Sequence, residues 1–303
     1  MELTMNNRVA LHDADRKRAG RPYPNLALMK LSAWHKQRGD TVAWFMPLMP
    51  YDRIYSSKVF SWTGDGYSLP AGTQKGGTGY ETYGNLPDGI EHICPDYSLY
   101  GADFSLGFLT RGCIRACPWC VVPHKEGAIR AHADIEEFLR HRDVVLMDNN
   151  VLAHDHGIEQ IEKMARMGLR VDFNQGLDAR LIDAAIARRL ASLRWLRPIR
   201  LACDRKSQMA DVETAVRLLR DAGATPRAYS CYVLVQDVDD AFERVEFLRS
   251  LGVAPYAQPY RDQNGGTPTQ EQKDFARWVN IKKLFKTVPW HKEARHLSRG
   301  EAQ

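Results

Sequence analysis

Three cysteines crowd one short stretch of the chain. Cys113, Cys117 and Cys120 are spaced C-x3-C-x2-C and account for half of the six cysteines in the sequence. Disulfides use thiols in pairs, and three thiols this close together cannot all pair locally. Clustered thiolates are instead the ligands of zinc and of iron–sulfur clusters. Because three ligands leave one iron of a four-iron cluster open, the spacing predicts a reactive metal centre.

A zinc site is the alternative to an iron–sulfur cluster. His124 follows Cys120 by four residues and would complete a Cys3His ligand set. The cluster is favoured because the regular strand and helix pattern described below has no reason to accompany a small zinc module. The remaining cysteines are scattered, and Cys203 and Cys231 lie in apolar segments that predict small buried side chains.

The surroundings of the cysteines strengthen the case for a cluster. Trp119 directly precedes the last cysteine, and C-x3-C-x2-C in this form resembles the signature of the radical S-adenosylmethionine (radical SAM) superfamily. The run 111–123 is similar to the branch that contains the tRNA methylthiotransferases and the radical enzymes with a cobalamin-binding-type domain. The resemblance implies a [4Fe–4S] cluster on the three cysteines, with S-adenosylmethionine (SAM) bound to the open iron. It also implies a flavodoxin or ferredoxin as electron donor and a 5′-deoxyadenosyl radical that abstracts hydrogen from a substrate.

The elements that must position this motif begin near residue 103, where apolar strands alternate with amphipathic helices. The predicted strands are 103–110, 144–147, 171–173, 199–202, 232–235 and 254–258. The predicted helices are 134–141, 158–168, 180–193, 211–222, 239–251 and 268–285. Units of this length suit right-handed βαβ crossovers. They are too few for a closed eight-unit barrel, and they match the (β/α)6 partial TIM barrel of radical SAM enzymes.

Chemistry in parallel α/β folds takes place at the carboxyl ends of the strands, and the cysteine motif follows the first predicted strand. Polar residues follow the later strands, and the resemblance makes some of them SAM-binding candidates beside Trp119. These candidates are Asp148, Asn149, Asn150, Gln175, Asp204 and Arg205. Residues 148–150 stand where the superfamily contacts the SAM amino group, while an aspartate suits ribose hydroxyls and an arginine suits the carboxylate. Helix capping and turn formation are the alternative role for each candidate.

Residues 1–100 predict a small Rossmann-like α/β domain. Strands are expected at 8–12, 41–46 and 53–60, with a helix opened by Pro24 between the first two. The segment resembles the cobalamin-binding-type domain that precedes many radical SAM barrels. Its motif D-x-H-x-x-G is missing after Asp13, so cobalamin bound through a histidine is not expected. The predicted organisation is this domain, the partial barrel at 101–265, and a C-terminal helix with a basic tail at 266–303.

Composition restricts location and partners. No apolar run approaches the ~20 residues of a membrane helix. Clustered thiols without a recognisable secretory signal predict a cytoplasmic protein. The formal net charge of +5 is compatible with an anionic partner. Basic residues alternate with aromatic residues near the C-terminus, which makes nucleic acid a possible partner, although a closing helix with one apolar face is favoured. The residues are Phe275, Arg277, Trp278, Lys282, Lys283, Phe285, Lys286, Trp290, Lys292, Arg295 and Arg299.

Three functions remain open at the level of sequence. The first is a radical SAM enzyme that acts on a small molecule, a nucleoside or a peptide. The second is a radical SAM enzyme that modifies RNA or DNA, and the third is a non-catalytic zinc or redox module. Sulfur insertion of the methylthiotransferase type is disfavoured, because only Cys94 precedes the motif where that family carries three cysteines for a second cluster.

Overall fold

The computed structural model describes residues 6–16, 23–223, 228–261 and 266–290, which form a mixed α/β protein built on parallel sheets. Its strands are β1 (Arg8–Asp13), β2 (Thr41–Trp44), β3 (Arg53–Ser57), β4 (Gln74–Gly76), β5 (Ser105–Gly107), β6 (Thr110–Arg111), β7 (Arg130–Ala131), β8 (Asp143–Leu146), β9 (Arg170–Phe173), β10 (Arg194–Trp195), β11 (Ile199–Ala202), β12 (Tyr229–Val235) and β13 (Ala254–Pro259). Its α-helices are α1 (Leu26–Gln37), α2 (Asp88–Glu91), α3 (Val122–Lys125), α4 (Ile135–Phe138), α5 (Asp155–Arg166), α6 (Ala184–Ala191), α7 (Met209–Asp221), α8 (Val238–Ser250), α9 (Gln270–Asn280) and α10 (Lys282–Thr287).

The N-terminal part contains a four-stranded parallel sheet in the order β2-β1-β3-β4. Helix α1 begins after Asn25, whose side chain accepts a hydrogen bond from the Leu28 amide at 3.2 Å. Leu28 and Leu31 of this helix share a buried cluster with Val9 and Leu11 of β1. Apolar residues at helical spacing on α1 therefore bury one face of the small sheet.

The remaining strands form two further parallel sheets, ordered β10-β9-β8-β5 and β11-β12-β13. A parallel bridge between Leu177 and Leu201 connects the segment after β9 to β11. There the Leu177 amide donates a hydrogen bond to the Arg200 carbonyl at 2.8 Å. Strands β6 and β7 form a separate antiparallel pair that encloses the cysteine motif.

Two buried clusters hold these sheets in place. The larger one packs β8, β9, β11 and β12 against helices α5 to α9, and Leu146, Phe173 and Val233 are among its members. The other joins Leu26 and Met29 of α1 to β5 and β8, so one helix contributes to the cores of two sheets. Cys203 and Cys231 are fully buried in the larger cluster, which confirms the prediction made for them.

One predicted strand is split and one predicted helix is shortened, because distant side chains bind their backbone amides. The strand expected at 103–110 splits into β5 and β6, because the Leu109 and Thr110 amides donate to the Asp148 carboxylate. The helix expected at 134–141 is only the four residues of α4. The amides that follow it, those of Arg140 and His141, donate to the Ser105 hydroxyl, so the chain turns back towards β5.

Two further predicted helices are each interrupted. The helix expected at 180–193 begins as a short 3-10 turn, and Asp183 then starts α6 by accepting a hydrogen bond from the Ile186 amide. The helix expected at 268–285 is broken into α9 and α10 at Ile281, which is extended. The Asn280 side chain bonds both the amide and the carbonyl of Ala257 on β13, and this contact fixes the end of α9.

The C-terminal helices close the main core. Phe275, Trp278 and Val279 are buried in the larger cluster, as the interpretation of a closing helix requires. The predicted basic tail residues Lys292, Arg295 and Arg299 lie outside the described residues. Among the helices that the structure describes, none has the length and apolar character needed to cross a membrane.

Candidate metal centre

The cysteine motif occupies the loop 112–129 between β6 and β7, referred to below as the cysteine loop. Gly112 opens it with φ +81, and a Cβ at this position would lie 2.2 Å from the Ala128 carbonyl oxygen, so a side chain does not fit. The Cys113 amide donates to the Gly127 carbonyl at 3.3 Å. The two ends of the loop are therefore held against each other.

Glu126 fastens the loop to the neighbouring strand end. Its carboxylate accepts hydrogen bonds from the Gly112 amide and from the Asn149 side chain, both at 2.9 Å, and it pairs with Arg111 at 3.1 Å. The predicted SAM candidate Asn149 thus lies beside the loop, and its described contact is to Glu126. Sequence reasoning did not identify Glu126, since nothing local distinguishes it from a surface glutamate.

Asp148 holds the chain as it enters the loop. It is 4% exposed and accepts hydrogen bonds from the Leu109 amide at 3.1 Å, the Thr110 amide at 2.6 Å and the Thr110 hydroxyl at 2.7 Å. Burial raises the pKa of Asp148 to about 6, although the hydrogen bonds from Thr110 and Leu109 act in the opposite direction. All described contacts of Asp148 are to this entering strand, and its contact with SAM stays a prediction.

Asn150 reaches the first cysteine. Its amide nitrogen lies 3.5 Å from the Cys113 sulfur and 3.3 Å from Asp178 Oδ2. The side chain is 3% exposed, and its Oδ1 is buried without a hydrogen-bond partner in the described residues. Such an orphaned acceptor is rare in folded proteins, and it is suited to a donor on a bound molecule.

Asp178 links the cysteine loop to the end of β9. It accepts hydrogen bonds from Arg115 Nε at 3.0 Å and from Arg180 Nε at 2.6 Å. The Arg115 amide in turn lies 3.3 Å from the Cys113 sulfur. Burial raises the pKa of Asp178, but the bonds from Arg180 and Arg115 outweigh it and hold that pKa below its usual value. Sequence reasoning missed Asp178, although its position three residues after the candidate Gln175 was a usable signal.

A residue after β11 also contacts the cysteine loop. The Arg205 guanidinium stacks on the Trp119 ring, 4.4 Å from its centroid. Asp204 Oδ1 accepts a hydrogen bond from the Leu234 amide at 3.1 Å, and burial raises the pKa of Asp204. Gln175 is exposed at the end of β9. The structure therefore brings Trp119 and Arg205 together, and the role of Gln175 stays a prediction.

The three thiols are partly buried, and none forms a disulfide. Burial raises the pKa of Cys117 and of Cys120. The Arg180 charge opposes this effect at Cys117, and a hydrogen bond from the Val122 backbone opposes it at Cys120.

Several groups around the cysteine loop are available to a bound metal group or to a molecule beside it. These groups are three thiols, a neighbouring arginine and the orphaned amide oxygen of Asn150. Within the described ranges, no three His, Cys, Asp or Glu side chains are already positioned around one point that could hold a metal ion. His124, the fourth ligand of the zinc alternative, is exposed on α3.

A scan of protein-family models and a search of curated proteins both find no match to this chain.

Proposed function

We propose that this chain is a radical SAM enzyme that binds a [4Fe–4S] cluster through Cys113, Cys117 and Cys120 and binds SAM beside it. One observation carries the proposal. Residues after three strands of the parallel sheets, β8, β9 and β11, contact the cysteine loop through Asn150, Asp178 and Arg205. Carboxyl ends of parallel strands are where α/β enzymes place their active sites, and a structural zinc module has no need of such contacts.

The strand order supports the (β/α)6 partial TIM barrel that the resemblance implies. Strands β5, β8 and β9 are neighbours, as are β11, β12 and β13, and the bridge at Leu177 and Leu201 links the two groups. The two sheets contain seven described parallel strands, because β10 also pairs with β9 at a sheet edge. The pairings and the bridge join β5, β8, β9, β11, β12 and β13 in that order. This is the arrangement expected of an open barrel with its site at the carboxyl ends.

Each side chain has a distinct part in this proposal. The bound cluster and SAM, once reduced by a flavodoxin or ferredoxin, would supply a 5′-deoxyadenosyl radical for hydrogen abstraction. The Asn150 side chain and the Arg115 amide donate towards the Cys113 sulfur, a type of contact that tunes cluster potential. Asn150 Oδ1 would accept a hydrogen bond from the SAM ammonium, and Arg205 would pair with its carboxylate. Trp119 holds the Arg205 guanidinium in place.

Metal content tests the proposal directly. Anaerobically reconstituted protein should bind about four irons and four sulfides per chain and form 5′-deoxyadenosine from SAM in the presence of dithionite. Cys113→Ala, Cys117→Ala and Cys120→Ala should each lose the iron. Cys94→Ala is the matched control, because Cys94 lies outside the loop, and it should keep the iron. Stoichiometric zinc with no iron after reconstitution would instead establish the zinc module.

A further inference from the structure

One face of the sheet β11-β12-β13 is only partly covered. Along β12, buried residues that belong to the main core alternate with half-buried residues on the opposite face. On β13, Ala257 is 1% exposed while its neighbour Tyr256 is 46% exposed. Strands of parallel sheets are normally buried on both faces, so an accessible face is unusual. Ligand-binding sites are formed by accessible apolar and aromatic surfaces of this kind that carry a few polar groups.

The side chains of this face form a continuous surface. The strand register places Tyr232 beside Tyr256 and Leu234 beside Gln258, and we call these four residues the tyrosine face. The two tyrosine rings meet edge to face with centroids 5.8 Å apart. The Tyr232 hydroxyl donates to the Asn174 carbonyl at 2.8 Å, so the tyrosine face extends to the end of β9. It therefore ends beside the loops that carry the candidate metal centre.

An arginine lies at the carboxyl end of the same surface. Arg261 follows β13, and its guanidinium stacks on the Trp62 ring, 4.2 Å from the centroid. In the described part of the chain, it has no ion pair with a carboxylate. Arg205, the other arginine at these strand ends, is engaged with Trp119 on the side of the cysteine loop. Among the described residues, Arg261 is thus a cation without a carboxylate partner at the edge of an aromatic surface.

We propose that the tyrosine face and Arg261 bind the substrate and that this substrate is a free nucleotide. The base would stack on the tyrosines, the Gln258 amide would bond its polar edge, and Arg261 would pair with the phosphate. A free nucleotide is favoured over a nucleic acid, because a polymer needs a track of several cations, whereas the described residues at this edge provide Arg261. The inference deepens the proposed function and rests on it for the chemistry, whereas the binding is testable independently.

The full chain, taken through anaerobic cluster reconstitution, is titrated calorimetrically with AMP, GMP, CMP and UMP to test the inference. Saturating SAM is present, so the adenosine site of SAM itself is filled. At least one nucleotide should bind with Kd below about 1 mM. Tyr256→Ala should weaken that binding about tenfold through lost stacking, while Tyr256→Phe keeps the ring and should bind normally. Arg261→Ala should also weaken it about tenfold through the lost phosphate contact.

Matched variants control for general damage. Tyr83→Ala removes a tyrosine of similar exposure outside the tyrosine face, and Arg217→Ala removes an exposed arginine from α7, so both should bind as wild type does. Ribose 5-phosphate, which lacks a base, should bind at least tenfold more weakly than the nucleotide. Wild-type melting temperatures in the Tyr256 and Arg261 variants would show that any loss of binding is local.

Several results would overturn the inference: no nucleotide binding, equal binding of ribose 5-phosphate, or binding only of an RNA of about ten nucleotides. Nucleotide binding that is observed without SAM and is lost at saturating SAM would overturn it too, since the face would then belong to SAM. Iron content is measured on the same samples. Iron without nucleotide binding removes this inference alone, and nucleotide binding without iron removes the proposed radical chemistry alone.

Discussion

At the scale of single residues, Asn150 is the side chain whose hydrogen-bonding capacity is only half used. Its nitrogen faces Cys113 and Asp178, while its buried oxygen has no partner in the described residues. An ammonium placed at that oxygen would gain a charge-assisted hydrogen bond worth roughly 1.5–3 kcal/mol. Asn150→Ala should therefore keep its iron and weaken SAM binding about ten- to a hundredfold, as measured by calorimetry on reconstituted protein.

The adjacent asparagine provides the control. Asn149 donates to Glu126 and so fastens the cysteine loop, without an orphaned atom of its own. Asn149→Ala should lower the melting temperature and the iron content, and the fraction that retains iron should bind SAM normally. An Asn150→Ala variant with unchanged SAM affinity would assign that residue to loop support alone.

Asp148 predicts a pH dependence of stability. Its pKa is raised from 3.8 to about 6, so the folded state holds the proton more tightly than the unfolded state. Its contribution is fully present below pH 3.8 and is lost as the pH rises through about 6. Between those limits, wild type should lose up to about 3 kcal/mol of unfolding free energy relative to Asp148→Asn. Urea unfolding of the metal-free proteins at several pH values measures the difference, and parallel pH profiles would contradict it.

At the scale of elements, the two glycines that close the cysteine loop allow a matched comparison. Both have positive φ, but a Cβ at Gly112 would strike the Ala128 carbonyl at 2.2 Å, whereas a Cβ at Gly127 meets nothing within 4 Å. Gly127→Ala should cost only the backbone strain of about 1–2 kcal/mol and keep its iron. Gly112→Ala must open the loop and should fail to retain iron under the same reconstitution. Equal iron content in the two variants would show that the loop does not need this geometry.

The limits of sequence prediction are also visible at this scale. Strands such as β8 and β11 lie within a residue of the predicted ranges, because apolar runs between turns report burial directly. Predicted helices differ from the structure where long-range hydrogen bonds intervene. The Ser105 hydroxyl accepts from the amides after α4, and the Asn280 side chain at the end of α9 bonds the backbone of Ala257. Helical periodicity carries no information about such long-range hydrogen bonds.

The residues of the candidate site were likewise only partly predictable from the sequence. The spacing of Cys113, Cys117 and Cys120 predicts a metal-binding loop from local sequence alone, and metal binding there stays a prediction. Glu126 and Asp178 were missed, since their role depends on partners that folding brings from other strands. Asp148 was correctly placed at a strand end. The four buried hydrogen bonds that its carboxylate accepts from residues 109–110 could not be predicted from the sequence around it.

At the scale of the whole molecule, helix α1 connects the small sheet to the main sheets. Leu28 and Leu31 pack on β1, whereas Leu26 and Met29 pack on β5 and β8. The Tyr100 hydroxyl also donates to Asp13, at the end of β1, at 2.6 Å. Because α1 has two buried faces, a loss of packing on one sheet also disturbs the packing of the other. We therefore expect the described residues to unfold as one cooperative unit.

Reciprocal core variants test this cooperativity. Leu31 belongs to the cluster beneath β1, and Leu248 on α8 is fully buried in the larger cluster. Truncation of either to alanine should cost about 2–5 kcal/mol. If the sheets unfold together, Leu31→Ala lowers the hydrogen-exchange protection of the slowest β8 amides as much as that of the β1 amides, and Leu248→Ala does the same in reverse. Protection lost in only one sheet would mean that the N-terminal part opens independently, in which case Trp62 could leave Arg261 without disturbing the cysteine loop.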